Sequence, residues 1–217
     1  MKAYYNIQQG TGEWLRLKWG KIGGSASKGL FVPSDTLLYE ILADNTEEFE
    51  MEDDGYISAD MQRGIELEPL ARSEMSKFAG VEFKEAGWLQ CEEIELLGIS
   101  PDGITEDETI TCEVKCPGSK KHIATVLSKQ IPADNIHQCL HYFTVNPKLV
   151  AHYFGSFRPE SKYPLFGKKI TRDSIIDLGT KAKPNCKKVS EWVEIALHNA
   201  RELDTNRKLA LEQLERI

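Results

Sequence analysis

Residues 100–117 read Ser-Pro-Asp-Gly-Ile-Thr-Glu-Asp-Glu-Thr-Ile-Thr-Cys-Glu-Val-Lys-Cys-Pro. Thr109 to Lys115 is rich in β-branched residues and ends at Pro117, which predicts a strand, and Pro101-Asp102-Gly103 predicts a turn after an earlier strand. Side chains two apart on a strand project to one face, so Glu113 and Lys115 share a face and Asp102 meets them across the hairpin. Two carboxylates brought together repel unless a cation sits between them. A hard divalent ion such as Mg²⁺ takes few carboxylate oxygens and keeps several waters. It could bind a phosphate oxygen and lower the pKa of an attacking water, while Lys115 orients that water or offsets charge in the transition state. The plainer alternative is a surface pair between Glu113 and Lys115, worth less than about 1 kcal/mol.

Upstream, Ser58 to Phe78 reads as a helix ended by Gly80. On a helical wheel Glu68 falls between Met61 and Met75 and beside Ile65, on the apolar stripe. An inward carboxylate is costly unless it binds metal or finds a partner such as arginine. Val81 to Gln90 and Ile94 to Ile99 read as strands. Downstream, Ser119 to Gln130 is a helix stopped by Pro132. A second helix runs from a cap at Asp134 through Phe143, with Ile136, Cys139, Leu140 and Phe143 as its apolar stripe. Gln138 and His141 lie together on the opposite face, where periodicity alone gives solvent exposure, although Gln138 could also bond a water or phosphate. Leu149 to Phe157 is a strand, Lys168 to Ile170 a shorter one, and Ser190 to the end one helix or two.

The N-terminal stretch has a loop at Gln9-Gly10-Thr11-Gly12 and a short helix from Trp14 to Trp19. A turn at Gly23-Gly24-Ser25 leads into a helix from Ala26, and another helix covers Asp35 to Leu42. This order predicts an α/β (α+β) fold with a central mixed β-sheet flanked by helices. The length of 217 residues suits one domain, 1–217, with a C-terminal helical segment at 190–217.

The net charge of −7 hides its distribution. Residues 40–108 carry a net −17 and residues 115–188 a net +10. A polyanion would be attracted to the basic segment if it forms one face, and indifferent to it if its lysines are scattered. The acidic run from Glu47 to Gly55 reads as an exposed loop. The five cysteines form no CxxC pair, which disfavours a zinc ribbon, and they read as small buried thiols suited to a reducing cytoplasm. The five histidines have no metal-ligand spacing. No apolar run approaches the ~18 residues that span a bilayer, and Met1 to Asn6 lacks the apolar stretch of a secretion signal.

Taken together, Glu68, Ser100-Pro101-Asp102-Gly103, Glu113-Val114-Lys115-Cys116-Pro117 and Gln138 resemble a PD-(D/E)xK nuclease site with a restriction-endonuclease-like core. More narrowly, the chain resembles the phage lambda exonuclease family, the YqaJ-type viral recombination nucleases. The segment from Gln9 to Trp14 through Gly20 to Ser25 is similar to that family's opening motif, Arg63 to Arg72 resembles its first acidic helix, and the likeness covers roughly residues 8–160. It implies Asp102, Glu113 and the Val114 carbonyl as metal ligands, with Glu68 serving the same cluster. Lys115 would position the nucleophilic water, Gln138 would support the site, and Ser25 would hold a 5′ end. It further implies Mg²⁺, with Mn²⁺ able to substitute, and a homotrimer that encircles duplex DNA and digests one strand 5′→3′. A single-strand annealing protein would be its partner in the host bacterial cytoplasm. The family's usual arginine four residues after the tryptophan is Lys18 here, with Arg16 two earlier, so either could hold the 5′-phosphate. Two other readings are an endonuclease of the Cas4 type and a non-catalytic DNA-binding adaptor that keeps the nuclease fold.

Overall fold

The computed structural model describes residues 1–50 and 58–216. Its elements run β1 (Lys2–Tyr4), α1 (Gly12–Lys18), α2 (Lys28–Phe31), α3 (Asp35–Thr46), α4 (Ala59–Ala79), β2 (Trp88–Gln90), β3 (Gly98–Ile99), β4 (Gly103–Ile104) and β5 (Ile110–Lys115). They continue with α5 (Ser119–Ser128), α6 (Ala133–Val145), β6 (Ala151–Phe157), β7 (Leu165–Ile170), β8 (Ile175–Asp177), β9 (Cys186–Lys188) and α7 (Val189–Leu214). The mixed α/β architecture expected from the sequence is present.

The central sheet has the order β4-β5-β6-β7. β5 pairs antiparallel with β4 and parallel with β6, and β6 pairs antiparallel with β7. The parallel step needs a crossover, and α5 and α6 supply it. β6 is buried at every position, because helices cover both of its faces. One face packs Cys112, Val114, Tyr153 and Phe157 against Ala71 and Met75 of α4. The other face belongs to the larger core, where Ile104, Phe154 and Ile170 join Leu140, Phe143 and Trp192. β1, β2 and β3 form a second, antiparallel sheet that joins the same large core through Leu89 and Ile99.

Helix α4 begins and ends as its sequence dictates. The Ser58 side chain accepts the Met61 amide, and Gly80 closes the last turn at a φ of 70°, the left-handed region that favours glycine. Its wheel differs from the expected one. Ala71 and Met75 are fully buried, whereas Met61 and Ile65 are 57% and 58% exposed. The N-terminal half of the helix therefore runs past the sheet, and the apolar stripe ends near Glu68.

Several boundaries shift. Of the stretches Val81–Gln90 and Ile94–Ile99, only Trp88–Gln90 and Gly98–Ile99 pair as strands. The turn expected at Pro101-Asp102-Gly103 lies later, because Gly103–Ile104 already pairs with β5. The hairpin reverses at Thr105–Thr109, where the Asp107 carboxylate accepts from the Thr105 and Thr109 hydroxyls and the Thr109 amide. The helix expected from Ala26 starts at Lys28, and the N-cap of α6 is Pro132, with Asp134 in the first turn. The strand expected at Lys168–Ile170 extends back to Leu165, and the C-terminal segment is one helix. Cys91, Cys112 and Cys139 are buried as expected, Cys116 is half-buried, and Cys186 is exposed. The part of the acidic run from Met51 to Gly55 lies outside the described residues. Phe49 does not behave as a bare loop residue: its ring meets Trp19 at 5.3 Å. Among the described residues no helix is long and apolar enough to cross a membrane.

Gly98 shows how tightly the second sheet closes on the core. A Cβ at this position would fall 2.1 Å from the ring of Trp88, which is 1% exposed and has no room to move. Gly98→Ala is therefore expected to lower stability by about 1–3 kcal/mol through overpacking, which chemical denaturation would measure.

Candidate active site

Strand alternation builds the site. Cys112 and Val114 face α4, so Thr111, Glu113 and Lys115 face the opposite side. There α6 covers them. Glu113, whose side chain is only 2% exposed, receives the Lys115 ammonium on one carboxylate oxygen and the Tyr142 hydroxyl on the other. Tyr142 also bonds the Ser100 carbonyl at 3.0 Å. The simple surface pair is thus excluded, because the carboxylate of the Glu113–Lys115 pair lies inside the protein.

Asp102 lies one step beyond the Gly103–Cys112 pair, beside Glu113. Its carboxylate accepts the Val114 amide at 2.6 Å. Burial raises the Asp102 carboxyl well above the usual range; the charges of Glu113 and Glu68 push it further, against Lys115 and the Val114 amide. The negative charge of Glu113, which outweighs desolvation, raises the Lys115 ammonium above its ordinary value, so Lys115 stays protonated.

Glu68 is half-buried and meets Arg72 at 3.3 Å, the arginine partner weighed from the sequence. Arg72 also donates to the Asp102 carbonyl at 2.6 Å and to Glu85 at 3.1 Å. It ties α4 to the hairpin and delivers Glu68 to the cluster. Burial raises the Glu68 carboxyl, Arg72 opposes this, and Glu85 and Glu113 add to it. The three acids therefore share one electrostatic neighbourhood although they arise from three separate elements.

Helix α6 also fixes the second part of the site. The face expected to meet solvent is turned inward. His141 is fully buried, and its Nε2 donates to the carbonyls of both Ile22 and Gly98 at 3.1 Å. Desolvation lowers the His141 pKa to about 4, against two carbonyl bonds that raise it, so the ring is neutral at ordinary pH. Gln138 presses on the Gly23-Gly24-Ser25 turn, where a Cβ on Gly24 would sit 2.9 Å from the Gln138 side chain. Ser25 is exposed on that turn.

Arg16 and Lys18 diverge. The Arg16 guanidinium lies over Phe49 at 5.2 Å. Lys18 lies 4.1 Å from the centre of the Trp14 ring, and the Trp14 indole donates to Ser100 Oγ at 2.8 Å, two residues from Asp102. Lys18 is thus the one linked through Trp14 to the acid cluster, and burial lowers its pKa.

Sequence reasoning missed Tyr142 as a site residue. The signal was its spacing: four residues after Gln138, one helical turn further along the same face.

The donor chemistry suits a hard cation. Asp102 and Glu113 supply carboxylate oxygens and the Val114 carbonyl follows Glu113 in the chain; burial first, and then the charge of Glu113, disfavours the ionised Asp102 carboxyl, a cost that a bound cation would offset. Among the described residues, no three His, Cys, Asp or Glu groups stand as a finished metal cage. Tyr142, Lys115, Arg72 and the Val114 amide occupy oxygens of these acids instead.

The YqaJ-like viral recombinase domain model matches residues 13–148. The alkaline exonuclease LHK-Exo from Laribacter hongkongensis has a similar structure, with a TM-score of 0.70 and 23% identity, covering 95% of this chain and 99% of that one. A structure of LHK-Exo in complex with dAMP matches equally well. A phage-related exonuclease from Haemophilus somnus 129PT matches with a TM-score of 0.54 and 13% identity, over 89% of this chain and 96% of that one. No curated protein matches the chain. The shared fold is the restriction-endonuclease-like one, as expected from the sequence.

Two outcomes follow from this geometry. Because the folded Asp102 holds its proton above its unfolded pKa, its charge costs nothing below the ordinary aspartate range. The cost grows as pH rises to the elevated folded value. Asp102→Asn is therefore expected to raise the metal-free melting temperature above pH 7 and to leave it unchanged near pH 3, as calorimetry would show. Tyr142→Phe deprives Glu113 and Ser100 of a buried donor and is expected to cost about 1–3 kcal/mol in denaturant titration.

Proposed function

The chain belongs to the YqaJ-like viral recombinase family, and from that membership and its buried acid cluster we propose that it is a Mg²⁺-dependent deoxyribonuclease. Its reaction is exonucleolytic, removing one strand of linear double-stranded DNA 5′→3′ to leave single strands for annealing-type recombination of the bacteriophage kind. The observation that carries this reading is the Glu113 carboxylate, buried beside Asp102 and shared between Lys115 and Tyr142. A structural ion pair needs no second acid there, whereas a site that holds a divalent ion for phosphodiester hydrolysis uses one.

Asp102, Glu113 and the Val114 carbonyl would hold the divalent ion, with Mn²⁺ able to replace Mg²⁺ and Glu68 assisting from α4. When bound, the ion would neutralise charge on the scissile phosphate and lower the pKa of the attacking water. Lys115, kept protonated, acts as a hydrogen-bond donor to that water and as a charge offset for the transition state, and not as a general base. Arg72 holds Glu68 and the Asp102 main chain in register. The turn at Gly23–Ser25, braced by Gln138, together with Lys18 on Trp14, receives the 5′ end. The whole chain, 1–217, acts as one nuclease domain. It assembles as a homotrimer around duplex DNA ends, hands its product to a single-strand annealing protein, and works in the bacterial host cytoplasm. The acidic cluster followed by a net +10 segment suits such a polyanion substrate.

The test is incubation of end-labelled linear duplex with Mg²⁺ or with chelator. Shortening from the 5′ end in Mg²⁺ alone is expected, with Lys115→Ala and Asp102→Ala each reducing it by about 100- to 1,000-fold. Nicking of a closed circle would favour the endonuclease, and DNA binding without loss of nucleotides would favour the adaptor. Parent-like digestion by both variants would remove the site assignment.

A further inference from the structure

Past the end of β5 the chain passes Cys116 and Pro117, and two arginines from separate elements gather beside it. Arg158 follows directly on β6, and its guanidinium donates to the Pro117 carbonyl at 3.3 Å. Arg63 stands on α4 five residues before Glu68, and Pro117 lies two residues past Lys115. This cluster therefore borders the acid site without belonging to it.

Glu160 bridges the two. Both of its oxygens accept from Arg63 Nη2 at 2.8 Å, and Arg158 Nε stands 3.8 Å away. The three groups carry a net charge of +1. Arg63 presents its Nη2 to Glu160, while its Nε is buried with no partner among the described residues. The bridging carboxylate is 52% exposed, against 30% and 22% for the arginines. An ion pair that exposed is weak and readily exchanged, while the guanidinium groups behind it are better fixed. A carboxylate and a phosphodiester present the same pair of anionic oxygens to a guanidinium fork.

We propose that Arg63 and Arg158 form a phosphate-binding pair on the rim of the active site, and that Glu160 fills it until a DNA backbone phosphate takes its place. This deepens the nuclease reading and rests on it: the phosphate belongs to the strand whose scissile bond lies at Asp102 and Glu113. Glu160 would set affinity by competing for the arginines, and so favour release of DNA between encounters.

The test is equilibrium binding of a labelled duplex end to the full chain in chelator, across a range of salt concentrations. On duplex DNA, every phosphate that a protein neutralises adds about 0.9 to the slope of log affinity against log salt. Arg63→Ala and Arg158→Ala are expected each to weaken binding and reduce the slope by about that amount. Glu160→Gln, which keeps the shape and removes the charge, is expected to tighten binding. Thermal melting of each variant checks that it remains folded. Unchanged slopes in the two arginine variants, or weaker binding by Glu160→Gln, would show a structural ion pair only and overturn the proposal. That result alongside Mg²⁺-dependent digestion by the parent would leave the nuclease reading intact. A parent that neither binds nor digests duplex would overturn both.

Discussion

A carboxylate enclosed by protein must be compensated, and the protein arranges that compensation for Glu113 with two donors of different kinds. The Lys115 ammonium reaches it from the same strand, and the Tyr142 hydroxyl from the covering helix. Local backbone geometry secures the first donor, since residues two apart on a strand share a face. The second depends on the crossover that lays α6 against β5. The position of α6 in turn fixes His141 on the carbonyls of Ile22 and Gly98 and Gln138 against Gly24. The Tyr142 bond joins the apolar packing of Leu140 and Phe143 in holding this helix in place, and the helix arranges the rest of the site.

What the sequence revealed followed from short-range rules. The Glu113–Lys115 face, the Ser58 and Gly80 ends of α4 and the aromatic strand at β6 each depend on spacing or on a single capping residue. Asp102 was recognisable as a partner for Glu113, although the turn assigned to it sits at Thr105–Thr109. Val81–Gln90 shrank to the three-residue strand Trp88–Gln90 and an isolated bridge from Lys84 to Ile104, because apolar alternation reports burial, and burial there is achieved largely by irregular chain packed on the core.

The faces of helices were harder to read. Met61 and Ile65 appear on the wheel as core residues, yet α4 extends beyond the sheet they would have covered. The reverse happened in α6, where His141 is interior because a second layer, formed by the N-terminal segment and β3, lies on the side that periodicity assigned to water. A helix enclosed on two sides loses the amphipathic signature on which such assignments rely. The arginine paired with Glu68 was foreseeable in kind, but its additional bond to the Asp102 carbonyl was not, since that contact joins segments 30 residues apart.

The contacts that complete the site span great lengths of chain: 86 residues from Trp14 to Ser100 and 119 from His141 to Ile22. Closing such spans carries the largest entropic cost in assembly and is deferred until nearer contacts have formed. A nascent chain would hold the β4–β5 hairpin, with its acids and lysine, well before the opening residues have docked beneath α6. The acid cluster thus stays unsupported through most of folding, and partly folded copies carry the charged residues without the scaffold that directs them.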